Sequence, residues 1–299
     1  VEVLPGQPLT DPYVAASLGV SIQHLLPKQT LTALAGRFAG AELGALTTAV
    51  IRWFVDRYDV QMHEAAEPNV ARYATFNEFF TRALRPDARP IADAPLICPV
   101  DGAVSACGDI DGDRIFQAKG HTYTAAALLG GDDAMAAGYA DGSFATIYLS
   151  PRDYHRIHMP CDGRLVRMTH VPGALYSVNP ATARGIRGLF ARNERVVCHF
   201  EGAHGPFAMV LVGATIVGSM ATAWHGVVNP PRPGAIRIWE YAADGVSAVR
   251  LRQGDEMGRF LLGSTVILLF PSPRVGFNVD WAPGRAVRLG EPMATGELR

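Results

Sequence analysis

A chain of 299 residues is long enough for one large domain or two of ordinary size. With 48% hydrophobic and 18% charged residues it is neither disordered nor fibrous. Its 27 basic and 28 acidic residues lack the cationic surplus of a dedicated nucleic-acid binder, so no nucleic-acid partner is expected.

The sequence opens Val-Glu-Val, without an initiator Met and without a basic segment ahead of an apolar core, so no signal peptide is expected. From about 11 to 60 the pattern is helical. Val14, Leu18, Ile22, Leu25 and Leu26 form an apolar stripe that Pro27 ends. Leu31, Leu34 and Phe38 form a second stripe, and Leu43, Leu46, Val50 and Phe54 a third. Between Lys28 and Arg57 basic residues outnumber acidic ones. With Trp53, that composition suits helices lying in a bilayer interface, and it equally suits a helical cap packed on the domain behind it.

Beyond Pro90 the texture changes to short β-rich runs separated by Gly and Pro: 103–107, 144–149, 195–200, 207–212, 214–218, 235–239, 246–252, 264–270 and 286–289. Many short strands with turn signals between them predict a sandwich or barrel. Short helices are expected at about 124–129 and 180–189. Gly205 to Trp224 is the longest run free of charge and histidine. Its glycines, Pro206 and β-branched core mark it as buried strands rather than a transmembrane helix. The expected fold is α+β: amphipathic helices over 1–60, then a β-rich, sandwich- or barrel-like domain over 61–299. Cys98, Cys107, Cys161 and Cys198 contain no CxxC pair and read as reduced thiols in a cytosol-facing compartment.

Four stretches carry chemistry. Asp101 sits in Pro99-Val100-Asp101-Gly102, where an Asp-Gly turn is the plain alternative. His155 and His158 lie three apart in the run Tyr148 to Cys161. They suit a general acid and a general base, since imidazole titrates nearest neutral pH, or else structural hydrogen bonding. A metal site with Cys161 is not expected, because no second ligand cluster accompanies it and Pro160 breaks a continuous helix. Gly263-Ser264-Thr265 interrupts an apolar run. Small polar residues there are costly unless hydrogen-bonded or used, and a β-bulge is the alternative. Ser177 and Asn179 lie in a polar loop before a helix.

Taken together the chain resembles the bacterial phosphatidylserine decarboxylase proenzymes, a pyruvoyl-dependent family, from about Ser21 to Ala294. The resemblance rests on Thr75-Phe76-Asn77-Glu78-Phe79-Phe80-Thr81-Arg82-Ala83-Leu84-Arg85 with Arg89-Pro90; on Pro99 to Gly102; on Ala118-Lys119-Gly120-His121; and on Tyr148 to Cys161. It continues through Ala191-Arg192-Asn193-Glu194-Arg195, Val212 to Gly218, and Gly258-Arg259-Phe260 ahead of Gly263-Ser264-Thr265. One small departure is Val100, where the family often has Ala.

The resemblance implies a processing triad in which Asp101 orients His158 and His158 takes the Ser264 proton. Ser264 then attacks the Gly263 carbonyl. Autocatalytic serinolysis cleaves the chain between Gly263 and Ser264 into 1–263 and 264–299, a heterodimer with Ser264 converted to a covalent pyruvoyl cofactor. That ketone forms a Schiff base with phosphatidylserine, carbon dioxide leaves, and phosphatidylethanolamine is released. His155 is the candidate proton donor for this second reaction, and Ser177 and Asn179 are candidate headgroup contacts. A homodimer of the cleaved pair, bound peripherally to anionic lipid at the cytoplasmic face of the bacterial membrane through residues 1–60, completes the expectation. The rivals are a serine hydrolase using the same three residues, which lacks a G-x-S-x-G elbow around Ser264, and an unprocessed protein that only binds anionic phospholipid.

Overall fold

Ser264–Phe270 forms a strand of seven consecutive buried residues. Val266, Leu268 and Phe270 join one hydrophobic cluster with Ile147, Leu149, Met209 and Leu211. Ile267 and Leu269 join another with Phe144, Val210 and Val212. This is the two-residue period of a pleated strand with both faces covered, which is why the run reads as continuously apolar. The computed structural model describes residues 28–203, 205–215, 219–229, 234–261, 264–273 and 275–298. The apolar stripe from Val14 to Leu26, and Leu262 and Gly263 at the expected cleavage site, lie outside the described residues.

The strand is central in a nine-stranded antiparallel sheet. From edge to edge the order is Arg237–Glu240, Gly163–Val171, Arg195–Gly202, Gly205–Val212, Ser264–Phe270, Ser143–Leu149, Gly102–Asp109 and Ala286–Val287, with Arg250–Leu251 also paired to Gly163–Val171. One face packs on a four-stranded antiparallel sheet of Gly226–Asn229, Met220–Thr222, Glu256–Phe260 and Arg156–His158, through Ile157, Met220, Val228, Met257 and Phe260. The other face is covered by short helices that supply Leu128, Ala136, Ala183, Leu189 and Phe190. The architecture is α+β with stacked sheets, and among the described residues the large sheet stays open rather than closing into a barrel.

Several expected boundaries move. The run 246–252 keeps only Arg250–Leu251 as strand, because Gly245 sits at φ 87° and turns the chain. Past Val212 only Ala214 keeps a single β-bridge, Thr215 turns away, and the next described strand begins at Met220. The helix over 180–189 splits into Pro180–Gly185 and Leu189–Arg192, with Gly188 at φ 62° between them. Gly163–Val171 is a strand that the sequence pattern does not predict. Its charges break the apolar pattern, yet Arg164 pairs with Glu201, and Arg167 with Asp132 and Glu240.

Helices Lys28–Ala39 and Ala45–Tyr58 pack with the short helix Phe76–Phe80 around Ala39, Ile51, Val60, Phe76, Phe79 and Phe80. Thr75 caps that short helix by accepting the Glu78 N–H at 3.1 Å, and Glu78 accepts the Ala74 N–H at 2.8 Å. The helical layer therefore runs on past residue 60 to Phe80. Leu34, Phe38, Leu46 and Trp53 on these helices, and Leu43 in the turn between them, remain 41–59% exposed. Among the described residues no helix is long and apolar enough to cross a membrane.

Candidate active site

Ser264 opens the central strand directly opposite Leu149. The two-residue period places it on the face of Val266, toward the four-stranded sheet. It is 1% exposed, and its Oγ has no hydrogen-bond partner. A buried hydroxyl in that condition is costly. Thr265 is also buried and unpartnered, but the alternation turns it to the opposite face.

The same strand pairing brings the histidines in. The loop after Leu149 leads to His155 and then to the strand Arg156–His158, which pairs with Glu256–Phe260, the strand that runs into the Ser264 segment. The Phe260 N–H donates to the His155 carbonyl at 3.0 Å. The strand before Ser264 and the strand paired beside it thus both lead to His155.

His155 is fully buried and lies flat on Phe80, with ring centroids 4.0 Å apart and planes at 20°. Neither ring nitrogen makes a well-formed hydrogen bond. Burial, reinforced by the nearby Arg82 charge, pushes its pKa down to about 3, and the carbonyls of Ser150 and Pro151 oppose this only in part. The ring is neutral at physiological pH.

His158 is held at both nitrogens. Nδ1 lies 2.7 Å from the Gly254 carbonyl, which can only accept, so the ring proton is assigned to Nδ1. Nε2 then accepts from the Tyr154 hydroxyl at 3.1 Å. Burial lowers the His158 pKa, with the Gly254 carbonyl opposing, and burial raises that of Tyr154. The outcome is a neutral imidazole with its lone pair at Nε2, the form a general base requires.

Asp101 is buried and differently engaged than a triad requires. Arg89 Nε donates to its Oδ1 at 2.9 Å, Arg89 Nη2 to its Oδ2 at 2.5 Å, and the Leu289 N–H to Oδ1 at 2.9 Å. Arg89 Nη2 also donates to Glu64 Oε2 at 2.6 Å. Burial alone would lower the Arg89 pKa and raise that of Glu64. Their mutual pairing, with Asp101, reverses both shifts. In place of the expected direct contact, Asp101 reaches His158 only as a nearby charge, while Gly254 and Tyr154 orient the ring. The reason is strength: a charge-assisted, two-pronged guanidinium pair outcompetes a neutral imidazole N–H. Gly102 is required for close approach rather than for a turn, since a Cβ there would collide with the Tyr148 carbonyl oxygen.

Asp101 and Tyr154 line a cleft of about 660 Å³ whose walls also include Glu64, Arg82, Arg89 and Tyr148, while Ser264, His155 and His158 lie behind that lining. Asn179 is engaged structurally: its Oδ1 accepts the Thr182 N–H at 2.9 Å and caps Pro180–Gly185. Ser177 Oγ lies 3.5 Å from the Asn179 N–H. Sequence reasoning gave no role to Arg82, Arg89, Glu64, Phe80, Tyr154 or Gly254. Phe80 and Arg82 lie in the Thr75 to Arg85 motif, Arg89 in Arg89-Pro90 and Tyr154 in the run Tyr148 to Cys161. The signal that could have drawn attention to Arg82 is a single arginine following Phe76, Phe79 and Phe80.

The family model described as phosphatidylserine decarboxylase matches residues 76–295, and a shorter one described as PSD matches 18–59. Among curated proteins, the phosphatidylserine decarboxylase proenzyme of Acidovorax ebreus (strain TPSY) is 71% identical over 277 residues, covering 93% of this chain and 97% of the relative. Those of Variovorax paradoxus (strain S110) and Azoarcus sp. (strain BH72) are each 67% identical, covering 91% and 92% of this chain and 95% of each relative. With a family model spanning most of its length and relatives of this identity, the chain belongs to the phosphatidylserine decarboxylase family.

Proposed function

We propose that this chain decarboxylates phosphatidylserine to phosphatidylethanolamine after converting its own Ser264 into a pyruvoyl group. The observation that carries the reading is the buried, unpartnered Ser264 hydroxyl on the face that meets the histidine-bearing sheet.

In the first reaction His158, the base the resemblance implies, gives up the Tyr154 hydroxyl and takes the Ser264 Oγ proton at Nε2 as Oγ attacks the Gly263 carbonyl carbon. The peptide C–N bond breaks, the proton passes to the Ser264 nitrogen, and an ester replaces the amide. Loss of the Ser264 Cα proton then expels the Gly263 carboxylate with the ester oxygen. Water hydrolyses the remaining enamine through its imine tautomer, releasing ammonia and leaving the ketone. Chains 1–263 and 264–299 result. Asp101, fixed by Arg89 and Leu289, contributes negative potential that favours protonated His158.

The pyruvoyl carbonyl supplies the electron sink for the pair left when carbon dioxide departs. His155 moves the proton that replaces carbon dioxide. Its neutral ring acts as a relay, giving a proton from one nitrogen while taking one at the other, and the nearby Ser150 and Pro151 carbonyls make no well-formed hydrogen bond to either nitrogen. Phe80 covers one ring face and excludes water there.

The exposed apolar row Leu34, Phe38, Leu43, Leu46 and Trp53 supports peripheral seating of the helices on an anionic membrane at the cytoplasmic face. A homodimer of cleaved pairs remains part of this proposal on the resemblance alone. The test is intact mass of the purified protein. Two chains of the stated bounds, the smaller one blocked at its N-terminus, are expected, and Ser264→Ala should give one folded, inactive chain. Cleaved, active Ser264→Ala protein refutes the proposal.

A further inference from the structure

We propose that Arg82 is the anion anchor of the cleft lined by Asp101 and Tyr154 and holds the phosphodiester of the lipid substrate; this rests on the decarboxylase reading above. Arg82 is 5% exposed, yet it lines the cleft. Nη2 donates to the Arg152 carbonyl at 3.2 Å, and Cζ lies 5.5 Å from the centre of the Phe79 ring. Nε is buried without a partner.

Among the described residues no carboxylate lies within ion-pair distance of this guanidinium. Asp101 and Glu64 are committed to Arg89, and Asp153 accepts the Ser150 N–H at 2.6 Å, so all three act on Arg82 only from farther away. A guanidinium keeps its proton, and a buried charge without a counter-ion is strongly disfavoured. The cleft is therefore short of one anion at this point. Its other cations do not share the condition: Arg89 is matched twice, and Arg152 and Arg288 are 61% and 60% exposed.

The substrate has two anionic groups, and the chemistry selects between them. A guanidinium held against the carboxylate would stabilise the charge that departs as carbon dioxide, favouring the ground state over the transition state. The phosphodiester keeps its charge throughout, so binding it is uniform and lowers KM without slowing the chemical step. Seating the phosphodiester on Arg82 leaves the carboxylate free of that pairing.

The experiment compares mature wild-type enzyme with Arg82→Gln and Arg82→Lys on short-chain phosphatidylserine, and on the analogue whose phosphodiester is methylated to a neutral triester. Arg82→Gln should raise KM for the diester at least about tenfold, with kcat within about threefold, as expected for losing a charged hydrogen-bonding partner. It should leave the triester unaffected, and Arg82→Lys should restore part of the loss. If Arg82→Gln does not mature, Arg82→Lys carries the test through a reduced preference for diester over triester. Unchanged KM, loss confined to kcat, or wild type that accepts both substrates equally overturns the proposal.

Calorimetric binding of glycerophosphoethanolamine, which keeps the diester and lacks the carboxylate, is read without turnover. It separates failure of this anchor from failure of the decarboxylase reading. Binding to uncleaved Ser264→Ala protein that is lost on adding Arg82→Gln supports the anchor, and equal binding to both overturns it. Inorganic phosphate should bind more weakly than glycerophosphoethanolamine. The reverse order marks a free-phosphate site and overturns the headgroup assignment.

Discussion

Lowering the pH should charge His155 in the unfolded chain long before it charges the folded one. The folded ring titrates at about 3, against an ordinary value of 6.5. Between those values the unfolded state binds more protons, so the stabilisation is complete above pH 6.5 and is lost as pH falls toward 3. At 1.36 kcal/mol per pH unit the full span is worth about 5 kcal/mol, and the part above pH 4.5 about 3 kcal/mol. His155→Phe keeps a flat ring against Phe80 and removes the titrating nitrogens. With Ser264→Ala in both proteins each remains a single chain, and urea unfolding at pH 7.5 and 4.5 reads the effect. The parent should lose about 3 kcal/mol more than the Phe variant between the two pH values. His158 and His199, also shifted down by burial, are present in both and cancel. Equal losses would show that His155 is not buried as a neutral ring.

The two histidines should separate the two reactions. His155→Ala should still yield two chains but turn over phosphatidylserine about 10²–10⁴-fold more slowly, while His158→Ala stays one chain; a gel and a product assay decide, and the reverse pattern exchanges their roles. Because burial holds the His158 pKa below 6.5, the self-cleavage rate should be flat above neutral pH and fall only below that value; a rate still rising between pH 7 and 9 would contradict the neutral base. Trp53→Ser with Leu46→Ser, both more than half exposed, should weaken flotation with anionic liposomes while sparing a water-soluble short-chain substrate; undiminished flotation removes the membrane assignment. Arg89→Met leaves Asp101 buried without its guanidinium and Glu64 with only the exposed Arg288, and should cost about 3–5 kcal/mol in urea unfolding; a loss below about 1 kcal/mol would mean the network is not buried as described.

Deleting everything before Tyr58 would be a poor substitute for those surface changes. Phe54 packs on Phe76, Phe79 and Phe80, with ring centroids 5.1–6.0 Å apart, and Phe80 is the plate beneath His155. The amphipathic stripe on Ala45–Tyr58 was legible as a helix. Its two apolar sides were not separable by pattern: Ile51 is buried and Phe54 packed, while Leu46 and Trp53 face outward. Periodicity reports that a side is apolar, and it does not report what covers it.

The central strand shows what local pattern can carry. Ser264–Phe270 was readable with its bounds, and so were Ser143–Leu149 and Gly205–Val212 to within two residues, because a strand buried on both faces must be apolar throughout. Gly163–Val171 was not, since its charges are paid for by partners on other segments. At the site, the identities of Asp101, His155, His158 and Ser264 stood out in the sequence because their chemistry is rare in an apolar run. Their partners did not. That Asp101 turns to Arg89, that Gly254 and Tyr154 hold His158, and that Arg82 lies buried without a carboxylate all depend on which groups from distant segments reach one another first and most strongly. Residue type limits what a group can donate or accept, but the choice among donors and acceptors is made by packing.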